Sequence, residues 1–307
     1  MKNILILLTF FSGINVSYSQ WVQTDGPYGP INVSSIIQHD SLLLSFTDCG
    51  LFSKTNLASS WEPNSKLYFK SHTKKNDSLF IGTPWHGIKL IDLNNPNDPV
   101  VNINPIDADV MTYANSCLYV GNGFDGFFKS VDNGVSFTNH NTGLPTDTLS
   151  DPSGGAYYIT NVSSIEVTDS NIFCGTNKGV YRIDLNLTYW EEKNNGLPLS
   201  QVTLIHEVND TLYTAIDNKL FRSVDNGEVW NLLVTSYSDI TSLLVENDKL
   251  YASTSNNGIL YSPFNGSNWS SFNLGLTDLS VNVVSKYEST IVCGTSEDGF
   301  FELIGNQ

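Results

Sequence analysis

The chain has 307 residues, of which 31 are acidic and 15 basic, for a formal net charge of −16. No cluster of Lys or Arg offers the counterion release on which phosphate binding depends, so nucleic acid and anionic membrane surfaces are poor partner candidates. Charged residues are 15 % and aromatics 12 %, with 23 Gly, a balance that points to an all-β chain with many tight turns and away from disorder or a helical fold.

In chain order, Met1-Lys2-Asn3 is a basic tip and Ile4 to Phe11 an apolar run. Ser17 and Ser19 then place small residues at the −3 and −1 positions of a cut before Gln20. This pattern predicts a secretory signal peptide over residues 1–19, with the mature chain secreted, periplasmic or on the cell surface. No Cys follows the cut, which argues against a lipid anchor, and no later segment is apolar for long enough to insert in a membrane. Residues 20–307 are expected to form one domain. An exported chain permits disulfides, but Cys49, Cys117, Cys174 and Cys293 match no zinc spacing, and buried free thiols are the expectation.

The body of the chain is a repeat. A short strand ends on a Gly-Thr-like pair, a polar turn follows, and Gly then opens a second apolar run. Copies are Leu44-Ser45-Phe46-Thr47 to Gly50, Ile81-Gly82-Thr83 to Gly87, Val120-Gly121-Asn122 to Gly126, and Cys174-Gly175-Thr176 to Gly179. Thr214-Ala215-Ile216 to Leu220 is a degenerate fifth, and Ala252-Ser253-Thr254 to Gly258 and Cys293-Gly294-Thr295 to Gly299 complete seven. The step is about forty residues, each holding four short alternating runs, which is the signature of a propeller blade. One step is longer, and its surplus falls on the Pro/Gly/Ser/Asp stretch from Thr146 to Ala156, read as an inserted loop. Asn32-Val33-Ser34-Ser35-Ile36 returns as Asn161-Val162-Ser163-Ser164-Ile165 at the start of the fourth unit.

The seventh unit has three strands before Gln307, while Trp21-Val22-Gln23-Thr24-Asp25-Gly26-Pro27 has the character of the missing fourth. Donation of that strand would close the ring and cover an open sheet edge. The predicted fold is therefore an all-β, seven-bladed β-propeller with four antiparallel strands per blade, the last blade closed by the mature N-terminal strand.

Two units carry a sharper phrase, S-x-D-x-G-x-x-aromatic: Ser130, Asp132, Gly134 and Phe137, then Ser223, Asp225, Gly227 and Trp230. A weaker copy has Ser262, Gly266 and Trp269, with Phe264 in place of the Asp. At these residues the chain resembles the Asp-box, or BNR-repeat, propellers, which include sialidases, xyloglucan-cleaving glycosidases, sortilin-type receptors and photosystem II assembly-factor-like proteins. The resemblance runs through the repeat over the mature chain, while the strong motif occupies two units. It implies that the box lies on the turn between third and fourth strands, away from the ligand face, so that Ser130, Asp132, Gly134, Ser223, Asp225 and Gly227 are structural. It also implies that a sialidase site would need three Arg; Arg182 and Arg222 are the only two, and both are read as solvated rim charges.

Ligands of propellers favour the face made by the turns between second and third strands and by the blade-to-blade connections. Trp85, His86, Phe124 and Asp125 map to those turns on neighbouring blades, and the inserted loop brings Tyr157 and Tyr158 to the same face. Aromatic rings beside polar groups suit a sugar ring or a peptide anchor; they serve equally to fill gaps between blades. No Ser-His-Asp pattern, phosphate loop or metal-ligand cluster is present, so neither catalytic residues, nor a metal, nor a cofactor is assigned. The expected function is non-catalytic binding of a protein or glycan. The alternative is a polysaccharide-cleaving glycosidase using two of the face carboxylates Asp48, Asp125, Asp217, Glu297 and Asp298. Asp40-Ser41-Leu42, Asp77-Ser78-Leu79, Asp147-Thr148-Leu149 and Asp210-Thr211-Leu212 look like the D-(S/T)-aliphatic O-glycosylation acceptor of Bacteroidetes-type bacteria, and are equally good turn formers.

Overall fold

The computed structural model describes residues 19–24, 26, 31–150, 156–185, 189–246, 249–263 and 266–305. The signal peptide read over residues 1–19 lies outside the described residues, except for Ser19.

The repeat phrase folds because its Thr and Gly meet across a tight turn. Thr47 donates its hydroxyl to the Gly50 carbonyl at 2.9 Å, Thr83 to Gly87 at 2.9 Å, Thr176 to Gly179 at 2.9 Å, Thr254 to Gly258 at 2.8 Å and Thr295 to Gly299 at 3.2 Å. Each turn joins the second and third strands of a four-stranded antiparallel sheet. Seven such sheets form in chain order, and among the described residues there is no helix. Blade 1 runs from Val33–His39 to Glu62–Ser65, blade 2 from Ser71–Lys75 to Val101–Asn104, and blade 3 from Val110–Ala114 to Thr138–Asn139. Blade 4 runs from Ser164–Val167 to Glu191–Glu192, blade 5 from Val202–Val208 to Asn231–Thr235, and blade 6 from Ile240–Glu246 to Ser270–Ser271. Blade 7 contributes Val281–Tyr287, Thr290–Thr295 and Phe300–Ile304, and its outer strand is Gln20–Gln23. Gln20 pairs with Ile304 and Gln23 with Phe301, so the strand near the N-terminus closes the ring. The inserted segment departs from the loop expectation. Asp147–Ser150 and Ala156–Ile159 pair as a separate hairpin, with residues 151–155 outside the description.

One four-stranded sheet cannot bury enough apolar area alone, and stacking covers both of its faces. The core is accordingly divided into seven clusters, one in each seam between blades. Alternation on a single strand feeds two of them: Ile291 and Cys293 face blade 6, while Val292 between them faces blade 1. All four cysteines are free, as the sequence suggested, but only Cys174 and Cys293 are buried; Cys117 is half-buried and Cys49 is exposed, against the expectation.

A second recurring device bolts the blades together. At the start of the outer strand, Trp190 donates its indole N–H to the His140 carbonyl at 2.7 Å, Trp230 to Lys193 at 2.9 Å and Trp21 to Phe272 at 2.8 Å. In each case the acceptor belongs to the preceding blade. The backbone N–H of each of these Trp also bonds to that blade, at Thr142, Asn195 and Leu274. The next residue, Gly143, Gly196 or Gly275, adopts φ of +101°, +94° or +94° and passes directly under the Trp carbonyl. Trp21 thus makes at the closure the same joint that Trp190 and Trp230 make at the seams between blades 3 and 4 and between blades 4 and 5.

The S-x-D-x-G phrase occupies the turn between third and fourth strands. Ser130 donates to Asp132 at 2.7 Å and accepts from Gly134 N at 2.8 Å, while Asp132 accepts from Ser136 N at 2.9 Å. Ser223, Asp225, Gly227 and Val229 repeat these bonds at 2.7, 2.9 and 3.0 Å. Trp230 lies buried beneath the second copy. In the weak copy Phe264 is outside the described residues, and Trp269 donates to the Gly266 carbonyl at 3.1 Å.

Bonds from the Ser136 hydroxyl and N–H, then from Ser130, hold the Asp132 carboxyl down to about 2, from 3.8. The folded pKa is depressed, so the stabilisation is present above pH 3.8 and is lost as pH falls through 2. Asp132→Asn is therefore expected to lower the urea midpoint at pH 7, and the gap to wild type should close between pH 4 and pH 2. A gap that stays constant with pH would disprove the assignment.

Arg182 corrects a reading made from sequence. It is not a solvated rim charge: its side chain is only 15 % exposed and bonds Glu228 at 2.9 Å, Glu191 at 3.3 Å and the Asn226 carbonyl at 2.9 Å. It ties the outer edge of blade 4 to the Ser223–Trp230 turn of blade 5.

The first strand of each blade lies at the sheet edge opposite the outer strand. There His72 stacks on Phe46 with ring centroids 4.5 Å apart and is hydrogen-bonded to Ser35 at 2.5 Å. Burial lowers its pKa to about 4 and keeps the ring neutral.

Candidate functional site

The face carrying the turns between second and third strands is indented around blades 1 to 3. In the blade 2 turn, Thr83-Pro84-Trp85-His86-Gly87, Trp85 has φ +63° and is 84 % exposed. A bulky residue in the left-handed region is a strained arrangement, and its ring makes no core contact that would offset it. His86 donates from Nδ1 to the Pro84 carbonyl at 2.8 Å, which fixes the ring against the turn.

The equivalent turn of blade 3 departs from the repeat. Asn122 stands where five other units have Thr, and its side-chain Oδ1 accepts from Phe124 N at 3.0 Å and Asp125 N at 2.6 Å. The Asx turn raises Phe124, 62 % exposed, toward solvent. Asn141 and Asn139 bond the Asp125 carbonyl at 2.6 and 3.2 Å, and Gly123 N donates to Asp109 at 2.8 Å. Asp109 is also ion-paired to Lys70, which spans from the preceding connection.

Two cavities flank Trp85. One, of about 150 Å³, is lined by Lys70, Trp85, Asp107, Asp109, Phe124 and Asp125, with Thr83, Pro84 and Asn122 behind them. The other, of about 450 Å³, is lined by Lys66, Leu67, Tyr68, His86 and Lys89, with Thr83, Pro84 and Trp85 shared. The structure therefore gathers four residues singled out from sequence: Trp85, His86, Phe124 and Asp125. Tyr158 does not line either cavity. It stands 75 % exposed on the hairpin, whose end is tied to the blade 3 turn by Thr160 N donating to the Phe124 carbonyl at 2.9 Å. Tyr157 pairs with Leu149 through its backbone; its side chain is outside the description.

Of the five face carboxylates, only Asp125 lines these cavities. Asp217 accepts from Ser200 at 3.3 Å and Asp298 from Thr277 at 2.5 Å, so both are engaged elsewhere on the ring; Asp48 and Glu297 belong to the turns of blades 1 and 7. Tyr68, Lys66, Lys70, Asp107 and Asp109 were not identified from sequence. They sit in the connections between blades, which carry no recurring phrase. Three of the four acceptor-like pairs lie at turns: Asp40 and Asp210 have φ of +50° and +59°, and Asp77 precedes the strand Ser78–Thr83; Asp147-Thr148 instead lies in the strand Asp147–Ser150. Among the described residues no group of His, Cys, Asp or Glu is arranged to hold a metal ion.

No family profile matches the chain, and no curated protein matches it by sequence. Solved structures do. The extracellular domain assigned to a hybrid two-component system from B. thetaiotaomicron superposes with a TM-score of 0.76 at 18 % identity over 93 % of this chain. This chain spans only 40 % of that domain's length. YCF48 from Cyanidioschyzon merolae gives 0.69 at 11 % identity, covering 92 % of this chain and 98 % of its own; a YCF48 structure bound to D1 peptide matches as well. The GH74 xyloglucanase from Xanthomonas campestris gives 0.70 at 12 % identity, covering 93 % of this chain and 53 % of the enzyme. At such identities the likeness shows the β-propeller fold alone.

Proposed function

We propose that this chain is an exported recognition module without catalytic chemistry. In this reading residues 1–19 are a cleaved signal peptide, residues 20–307 form the single propeller domain, and the face around Trp85 binds a protein or glycan outside the cytoplasm. The observation that carries it is Trp85 itself: a large aromatic ring held at φ +63°, 84 % exposed, between two cavities. Strain of this kind persists where surrounding structure imposes it, and an exposed ring beside pockets is the usual form of a binding anchor. The extracellular setting of one structural neighbour and the peptide bound to another support the same reading. Among the described residues no helix is long and apolar enough to cross a membrane.

The test is a binding screen against peptides and polysaccharides with wild type and Trp85→Ala. Trp85→Ala should lose at least about tenfold in affinity, a 1.4 kcal/mol effect. Its melting temperature should stay within about 1 °C, as for other surface changes. Retained affinity would refute the site, and new reducing ends from any polysaccharide would refute the absence of catalysis.

A further inference from the structure

The two cavities that share Trp85 as a wall are oppositely charged. Lys66 and Lys89 line the larger, and no carboxylate does. Neither lysine is ion-paired among the described residues, and Lys89's partner, Asn102 at 2.5 Å, is neutral and leaves its charge in place. The smaller cavity holds Asp107, Asp109 and Asp125 against one cation, Lys70, which is already committed to Asp109. In a chain with twice as many acids as bases, a lysine-lined space free of carboxylates runs against the average surface.

Resting on the binding face proposed above, we propose that its ligand is an extended polypeptide segment of split charge. A carboxylate enters the Lys66/Lys89 cavity, an apolar side chain lies on Trp85, and a Lys or Arg enters the Asp107/Asp125 cavity. A neutral glucan would leave charges on both sides partly desolvated and unpaired. A polyuronate would satisfy the lysines but meet three carboxylates across the ring, where like charges oppose docking. A polypeptide carries both signs within a few residues, at about 3.3 Å of extended chain per residue. The charge order also sets the direction in which the segment lies, which is how complementary patches give specificity.

The test pans a random dodecapeptide display library on immobilised full-length protein. It is repeated on Trp85→Ala, Lys66→Glu/Lys89→Glu and Asp107→Asn/Asp125→Asn; a neutral β-glucan and a polygalacturonate are titrated in parallel. Recovered peptides should place Asp or Glu and Lys or Arg on opposite sides of an apolar residue. A synthetic consensus peptide should lose at least tenfold in affinity in all three variants, and so should a peptide of the same composition with the charge order reversed on wild type. A consensus without charge segregation, or charge variants that bind as wild type while Trp85→Ala does not, overturns the split-charge ligand and leaves the face standing. Trp85-dependent binding of either glycan with no peptide recovered does the same. Binders indifferent to Trp85→Ala, or no binder of any kind, overturn both.

Discussion

Trp21→Ala is expected to lower the melting temperature by about 6–10 °C. The indole is 2 % exposed, packs edge-on against Phe272 at 6.1 Å between centroids, and donates to that residue's carbonyl at 2.8 Å. Loss of a buried Trp costs about 3–5 kcal/mol, which at roughly 2 °C per kcal/mol for a domain of this size gives the stated shift. The location makes the effect specific. The seam between blades 6 and 7 is the one whose outer strand comes from the far end of the chain, so the variant weakens the closure. Hydrogen exchange should report this as faster exchange in Phe300–Ile304 than in the outer edge of blade 4. Unchanged melting, or exchange that rises evenly around the ring, would show that this strand is not the latch.

Gly143→Ala tests the Trp joint between blades 3 and 4 and should cost about 2–6 kcal/mol. At φ +101° any side chain is strained, by about 1–3 kcal/mol. A Cβ there would also press on the Trp190 carbonyl and stand 2.8 Å from its nitrogen. Both are backbone atoms, so relief requires blade 4 to move against blade 3, and overpacking of that kind adds about 1–3 kcal/mol. Gly123→Ala is the control. Its added Cβ meets only side chains, Asp109 at 3.3 Å and Asn161 at 3.4 Å, and its φ is not in the left-handed region. Denaturant titration should separate the two clearly; equal midpoints would remove the joint from the account.

Much of the architecture could be read from the chain because its determinants are local. The Thr-to-Gly hydroxyl bond closes within three or four residues, and the Ser and Asp bonds of the S-x-D-x-G phrase within four, so each blade restates its own folding instructions. The site was only half legible. Trp85 and Phe124 could be placed because they interrupt a known turn. Lys66, Tyr68, Asp107 and Asp109 could not, since the connections that hold them obey no repeat. Arg182 was misread for a related reason: its role depends on Glu228 and Asn226, residues of the next blade.

The blade itself was legible along the chain: its four short strands, its recurring turn, its count of seven and the identity of the strand that completes the last one. These follow from hydrogen bonds and side-chain alternation over a few residues. The tertiary structure decided what the blades present together. Lys70 meets Asp109, and the lysines and aspartates divide across Trp85, because stacking sheets around a ring brings separate connections within reach on one face. That proximity is a property of the closed ring, and no interval along the chain encodes it.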